Sequence, residues 1–174
     1  MELRVDIELK HPVWKEISQL VSSPESKIGC FNRLVDLYIV ACTIGIYYDS
    51  TIENNGELEN TIGRNTYQSN YDVSEILDFL FQNAILTTST IKYDVDTKLR
   101  IAFDPDYTLK DFSPIQFLTR FANYGATKIL DLVSNTDTGT ISSILNFLDD
   151  LISDDYEELL STISLSSYEI QKSI

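Results

Sequence analysis

A chain of 174 residues, 43% hydrophobic and 11% aromatic, is long enough for one domain with a real core, which excludes disorder throughout. Its net charge of -14 is carried wholly by residues 34–174, where eight basic side chains face 22 acidic ones, whereas residues 1–33 are neutral. That balance repels phosphate backbones, so direct nucleic-acid binding is disfavoured and a basic protein surface is the favoured partner.

Leu3, Val5, Ile7 and Leu9 alternate with charged residues, which predicts a short N-terminal strand. The same alternation lacks the continuous apolar run of a secretion signal, so a cytoplasmic location is expected. Pro12 suits the first turn of a helix, and Trp14, Ile17, Leu20 and Val21 follow at helical spacing. A second helix is predicted over about 28–48, with Phe31, Leu34, Val35 and Tyr38 as its apolar stripe. From Leu37 to Tyr48 it is apolar on every side. Those residues fall short of the roughly 20 that a membrane span needs, so this is the central buried helix of the fold. Gly45 inside it costs helix stability and lets a neighbouring helix approach closely.

The polar stretch from Asp49 to Asn70 is read first as a mobile surface loop, with a functional surface loop or a hidden short helix as the alternatives. Asp72 and Glu75 have the spacing of a capping box and open a third helix through Ile76, Leu77, Leu80 and Phe81 to about Ile85. Ile91, Tyr93 and Val95 alternate with polar residues, as do Leu99, Ile101 and Phe103. This predicts a small hairpin over about 90–103 with its turn at Asp96-Thr97-Lys98. Ser113 and Pro114 start the next helix as N-cap and first residue, with Ile115, Leu118, Phe121, Ala122, Ile129, Leu130 and Val133 on its core face. Two more helices carry Ile141, Ile144, Leu145, Leu148, Leu151 and Ile152, then Tyr156, Leu159, Leu160 and Ile163. The expected fold is therefore mainly α: a compact helical domain over 1–163 around the central helix, with a frayed tail over 164–174.

Chemistry is sparse. His11 is the one histidine, Cys30 and Cys42 form no CxxC pair, and six scattered glycines build no phosphate cradle. The cysteines read as reduced core thiols, and no metal or cofactor is expected. Asp96-Thr97-Lys98 has the letters of a metal-dependent nuclease motif, with Asp94 and Asp106 nearby. However, it falls at the expected turn in acidic surroundings. The densest charge cluster is Asp149, Asp150, Asp154, Asp155, Glu157 and Glu158. It reads either as a solvated face, two of its carboxylates opening a helix, or as a docking face for a basic partner.

Three segments, Ile39-Val40-Ala41-Cys42-Thr43-Ile44-Gly45, the helix from Asp72 to Leu86, and Phe121-Ala122-Asn123-Tyr124-Gly125, loosely cover residues 28–163. Together they resemble a family of small proteins from bacterial DNA-phosphorothioation (Dnd) defence loci. Tyr124 stands where the family pattern has the first of two glycines, and the segment 91–103 is not part of that pattern. The resemblance implies a helical accessory protein, without catalytic residues, acting beside a larger subunit such as a helicase, ATPase or nuclease in a defence or DNA-processing complex. A polar residue such as Asn123 within a helix is also explained by satisfying a nearby backbone group. An adaptor is thus the expected function. A DNA-mimicking inhibitor built on the acidic cluster is the alternative, and a nuclease built on Asp94, Asp96, Lys98 and Asp106 the second alternative. No membrane association is expected, and self-association is left open.

Overall fold

The protein is described by a computed structural model covering residues 5–22, 29–68, 71–134, 136 and 138–153. It is mainly helical with one short strand pair. One domain is expected over 1–163. The contacts group the chain into two compact units, Met1–Asp131 and Leu132–Ile174. The expected tail over 164–174 lies outside the described residues, as does the helix expected around Tyr156 to Ile163.

The first unit begins with β1 (Ile7–Leu9), where Ile7 and Leu9 are buried and Glu8 is exposed, the alternation that the sequence predicts. Val5 is exposed, so the inward face of the strand starts at Ile7. α1 (Val13–Ile17) follows directly on Pro12 and continues as a 3-10 turn over Ser18–Leu20. It buries Trp14, Ile17 and Leu20. His11 holds the start of α1, its Nδ1 accepting from Val13 N at 3.3 Å.

α2 (Leu34–Tyr47) starts later than the predicted 28. Phe31 is drawn into a bridge with Val21, donating its N–H to Leu20 O at 2.9 Å and accepting from Ser22 N at 2.7 Å. A residue whose backbone is spent there cannot join a helix. α2 buries Val35, Leu37, Tyr38, Ala41, Cys42, Ile44 and Gly45, and is the hub that its sequence predicts. It ends in a Schellman motif: Asp49 N donates to Ile46 O and Ser50 N to Gly45 O, with Asp49 left-handed at φ 43°.

Residues 49–68 are more ordered than a mobile loop. They contain β2 (Asn60–Ile62), antiparallel to β1 with Ile7 opposite Ile62 and Leu9 opposite Asn60, and α3 (Arg64–Gln68). Asp6 Oδ1 accepts from Arg64 N at 2.8 Å and so caps α3. Asparagines pin the stretch before β2. Asn54 Nδ2 donates to Glu8 O at 2.8 Å, and its Oδ1 accepts from Lys10 N at 2.9 Å.

α4 (Tyr71–Thr87) starts one residue before the predicted cap, so Asp72 lies inside its first turn, where negative charge suits the helix dipole. The predicted hairpin is a helix, α5 (Val95–Phe103). Asp94 is its N-cap, accepting from Thr97 N at 2.9 Å and from Thr97 Oγ1 at 2.8 Å. That side-chain cap decides between the two periods. α6 (Pro114–Asp131) starts as predicted, with Ser113 Oγ accepting from Gln116 N at 3.3 Å.

α2 and α6 pack against one another at the centre of this unit. A Cβ on Gly45 would collide with Phe121 O, and one on Gly125 with Ala41 O. Glycine at both places allows the two backbones to touch. Around them Trp14, Tyr38, Phe81, Phe117 and Phe121 fill the core.

In the second unit residues 138–153 form α7. Thr136 caps it, its Oγ1 accepting from Gly139 N at 3.2 Å. Ile144 is buried, while Ile141, Leu145 and Ile152 of the same helix are exposed.

Candidate protein-binding surface

The acidic cluster is only partly described. Asp149 and Asp150 are exposed on α7, and Asp154, Asp155, Glu157 and Glu158 lie outside the described residues.

Of the nuclease letters, Asp94 and Lys98 are structural ties, while Asp96 and Asp106 are exposed. Asp94 caps α5, and Lys98 Nζ donates to Thr88 O at 2.7 Å, closing the C-terminal end of α4. Asp49 joins them by accepting from Thr88 Oγ1 and, through Oδ2, from Ser89 N at 2.8 Å and Ser89 Oγ at 2.6 Å. Partial burial pushes the Asp49 carboxyl up, and the hydrogen bonds from Ser89 and Thr88, with Lys98 nearby, outweigh it and hold the group below its ordinary value. A carboxylate so stabilised is a poor general base for the Ser89 hydroxyl. Among the described residues no group of three His, Cys, Asp or Glu side chains is arranged to hold a metal ion.

The thiols are equally quiet. Neither Cys30 nor Cys42 is in a disulfide. Burial pushes the Cys42 thiol far above its ordinary value, against a smaller lowering by Tyr38, so it stays protonated and unreactive.

Asn123 is fully buried and links three segments. Its Oδ1 accepts from Trp14 Nε1 at 2.7 Å, and its Nδ2 donates toward Ile52 O and Glu53 O at 3.2 and 3.3 Å. The sequence expectation that Asn123 satisfies backbone groups holds, and Trp14 is the partner that the sequence did not reveal. Beside this hub lies a hollow of about 430 Å³ with Glu8, Lys10, Glu53 and Arg120 on its walls. Four of its charges pair, Lys10 with Glu8 at 2.7 Å and Arg120 with Glu53 at 2.6 Å, and Asp6, which caps α3, adds a further carboxylate.

A larger cleft opens between α4, α5 and the segment that follows α5. It encloses about 650 Å³, and Phe81, Phe103, Tyr107, Leu109 and Phe112 supply its apolar walls. Phe81 and Phe112 of its wall pack with Phe117 as a ring cluster, tilted or edge-to-face, with centroids 5.7–6.3 Å apart. The charged side chains on its lining are Asp104 and Asp106. Next to it, α5 carries an exposed apolar row, Val95, Leu99 and Phe103, at i, i+4, i+8, with Val95 71% and Phe103 58% exposed. α4 carries another, Ile76, Phe79 and Leu86, with Phe79 63% exposed. The two helices pack together, and Gln82 Nε2 donates to Ala102 O at 3.4 Å. A usable signal was present in the sequence: Val95, Leu99 and Phe103 at helical spacing, followed by Tyr107, Leu109 and Phe112.

No family model, curated protein or solved structure matches the chain. No helix among the described residues is long and apolar enough to cross a membrane.

Proposed function

We propose that this chain is a non-enzymatic accessory subunit or adaptor that works by binding a larger protein of a bacterial defence or DNA-processing complex. The observation that carries the binding role is the pair of exposed apolar rows on α4 and α5 beside an aromatic cleft. Water-facing phenylalanines at helical spacing on two adjacent helices are costly for an isolated protein and useful to one that docks. The depressed Asp49 carboxylate and the raised Cys42 thiol support a role without catalysis. The defence setting rests on the resemblance of 39–45, 72–86 and 121–125 to Dnd-associated proteins, and the helicase, ATPase or nuclease partner rests on it too.

Affinity purification of the tagged full chain from its native host tests this reading. A larger protein encoded nearby should be recovered at fixed stoichiometry and survive gel filtration. A chain that elutes alone at micromolar concentration with each neighbouring product would overturn the adaptor role.

The exposed Asp149 and Asp150 favour the second reading, a DNA mimic that fills the nucleic-acid site of its target. Loss of binding on Asp149→Asn with Asp150→Asn, but not on changes to α5, would select it.

A further inference from the structure

The apolar rows and the cleft differ from an ordinary exposed patch in their charge. α4 holds Asp72, Glu75 and Asp78 and no lysine or arginine. The cations of α5 are already engaged: Lys98 on Thr88 O, and Arg100 stacked 4.1 Å from the Tyr107 ring centroid and 3.8 Å from Asp104. The other cations of this stretch are Lys92, in the α4–α5 connection, and the exposed Lys110, between the cleft residues Leu109 and Phe112 and beside Asp111. Asp72, Glu75, Asp96 and Asp106 are exposed around the rows and the cleft mouth. An apolar surface bordered mainly by carboxylates attracts a ligand of the opposite pattern.

We propose that the cleft and the α5 row dock a cationic amphipathic helix of the partner protein. A bulky apolar side chain enters between Phe103, Tyr107 and Phe112, and Lys or Arg on the flanks meets Asp106 and competes with Arg100 for Asp104. The cleft's volume suits one or two large side chains, and its aromatic wall is already packed as a cluster in the unbound chain. A second copy of this chain is a poorer occupant. It would bring its own carboxylates against these, at a net charge of -14 per copy. This inference rests on the adaptor reading and names its surface and the chemistry of its partner.

The test uses the intact chain and a fluorescent peptide of about 18 residues, with Leu on one helical face and Lys on the other, read by anisotropy. A Leu/Glu peptide of the same pattern is the counter-probe. The Lys peptide should bind and the Glu peptide should not. Leu99→Ser with Phe103→Ser should weaken binding about tenfold or more, as loss of a hot spot does. Asp104→Asn with Asp106→Asn should weaken it several-fold and flatten its salt dependence. Asp149→Asn with Asp150→Asn should leave it unchanged. Every substituted side chain except Asp104 is exposed, and a matching thermal melt confirms that each variant folds.

Equal binding of the Leu99/Phe103 variant overturns the proposal, since it shows attraction by bulk charge alone. So does a dimer that the same variant dissolves, which assigns the face to a second copy. If that variant still co-purifies with the native partner, the docking face is wrong while the adaptor role stands. If the wild type co-purifies with nothing, the adaptor role itself fails.

Discussion

Gly45 and Gly125 each lie against the backbone carbonyl of the residue four places before the other: Gly45 against Phe121 O, Gly125 against Ala41 O. This reciprocal contact makes α2 and α6 antiparallel and sets how closely they approach. Adding a methyl at either site strikes backbone rather than a movable side chain, so the helices must separate. Gly45→Ala and Gly125→Ala should each destabilise by about 1–3 kcal/mol in urea unfolding, despite the better helix propensity of alanine. The double variant should cost less than the sum, since the first substitution already opens the interface. A neutral or stabilising result would show that the helices do not touch there.

Asn123 gives a second test. Asn123→Leu leaves Trp14 Nε1 buried and unpaired and releases the carbonyls of Ile52 and Glu53, which should cost about 2 kcal/mol or more. Asn123→Asp keeps the acceptor for Trp14 but sets a buried carboxylate against those carbonyl oxygens. Its folded-state pKa is then raised above the unfolded value. The variant should be most stable in acid and lose stability as pH rises through that raised value. Urea midpoints across pH read the effect, and a flat profile would contradict it.

Asp49 titrates in the opposite sense. Its carboxyl is held below its ordinary value in the folded chain. The stabilisation is therefore fully present above the unfolded value of about 4 and is lost as pH falls through the depressed one. Asp49→Ala should cost about 1 kcal/mol at neutral pH, a figure reduced for solvent exposure. The gap from wild type should narrow in acid. A gap independent of pH would place the cost in the left-handed backbone rather than in the carboxylate.

Much of this was legible in the sequence, and the exceptions have physical causes. The central helix, the close approach at Gly45 and the Ser113–Pro114 start follow from local residues whose chemistry allows one outcome. The segment 91–103 does not. Leu99, Ile101 and Phe103 alternate like a strand, while Val95, Leu99 and Phe103 also fit a helix. The side chain of Asp94, by capping Thr97 N, selects the helix. The polar stretch after Asp49 lacks an apolar pattern because asparagine side chains hold it, bonding to backbone groups about 46 residues away. The aromatic cleft forms where α4, α5 and the following segment meet, so no single window of sequence displays it.

Asp96 and Lys98 separate structure from catalysis. Lys98→Met removes the donor to Thr88 O and should cost about 1 kcal/mol, whereas Asp96→Ala, exposed on the first turn of α5, should stay within about 0.5 kcal/mol. With Mg²⁺ or Mn²⁺, wild type and Asp96→Ala should give the same result on DNA. Cleavage lost in Asp96→Ala would restore the nuclease reading.

The central claim, docking through α4 and α5, is read most directly by hydrogen–deuterium exchange on the full chain with and without its co-purified larger partner. Protection is predicted along the second half of α4 and from Val95 to Phe112, with the buried α2 unchanged. Protection confined to the acidic residues from Asp149 onward, with α5 exchanging as in the free chain, would contradict it.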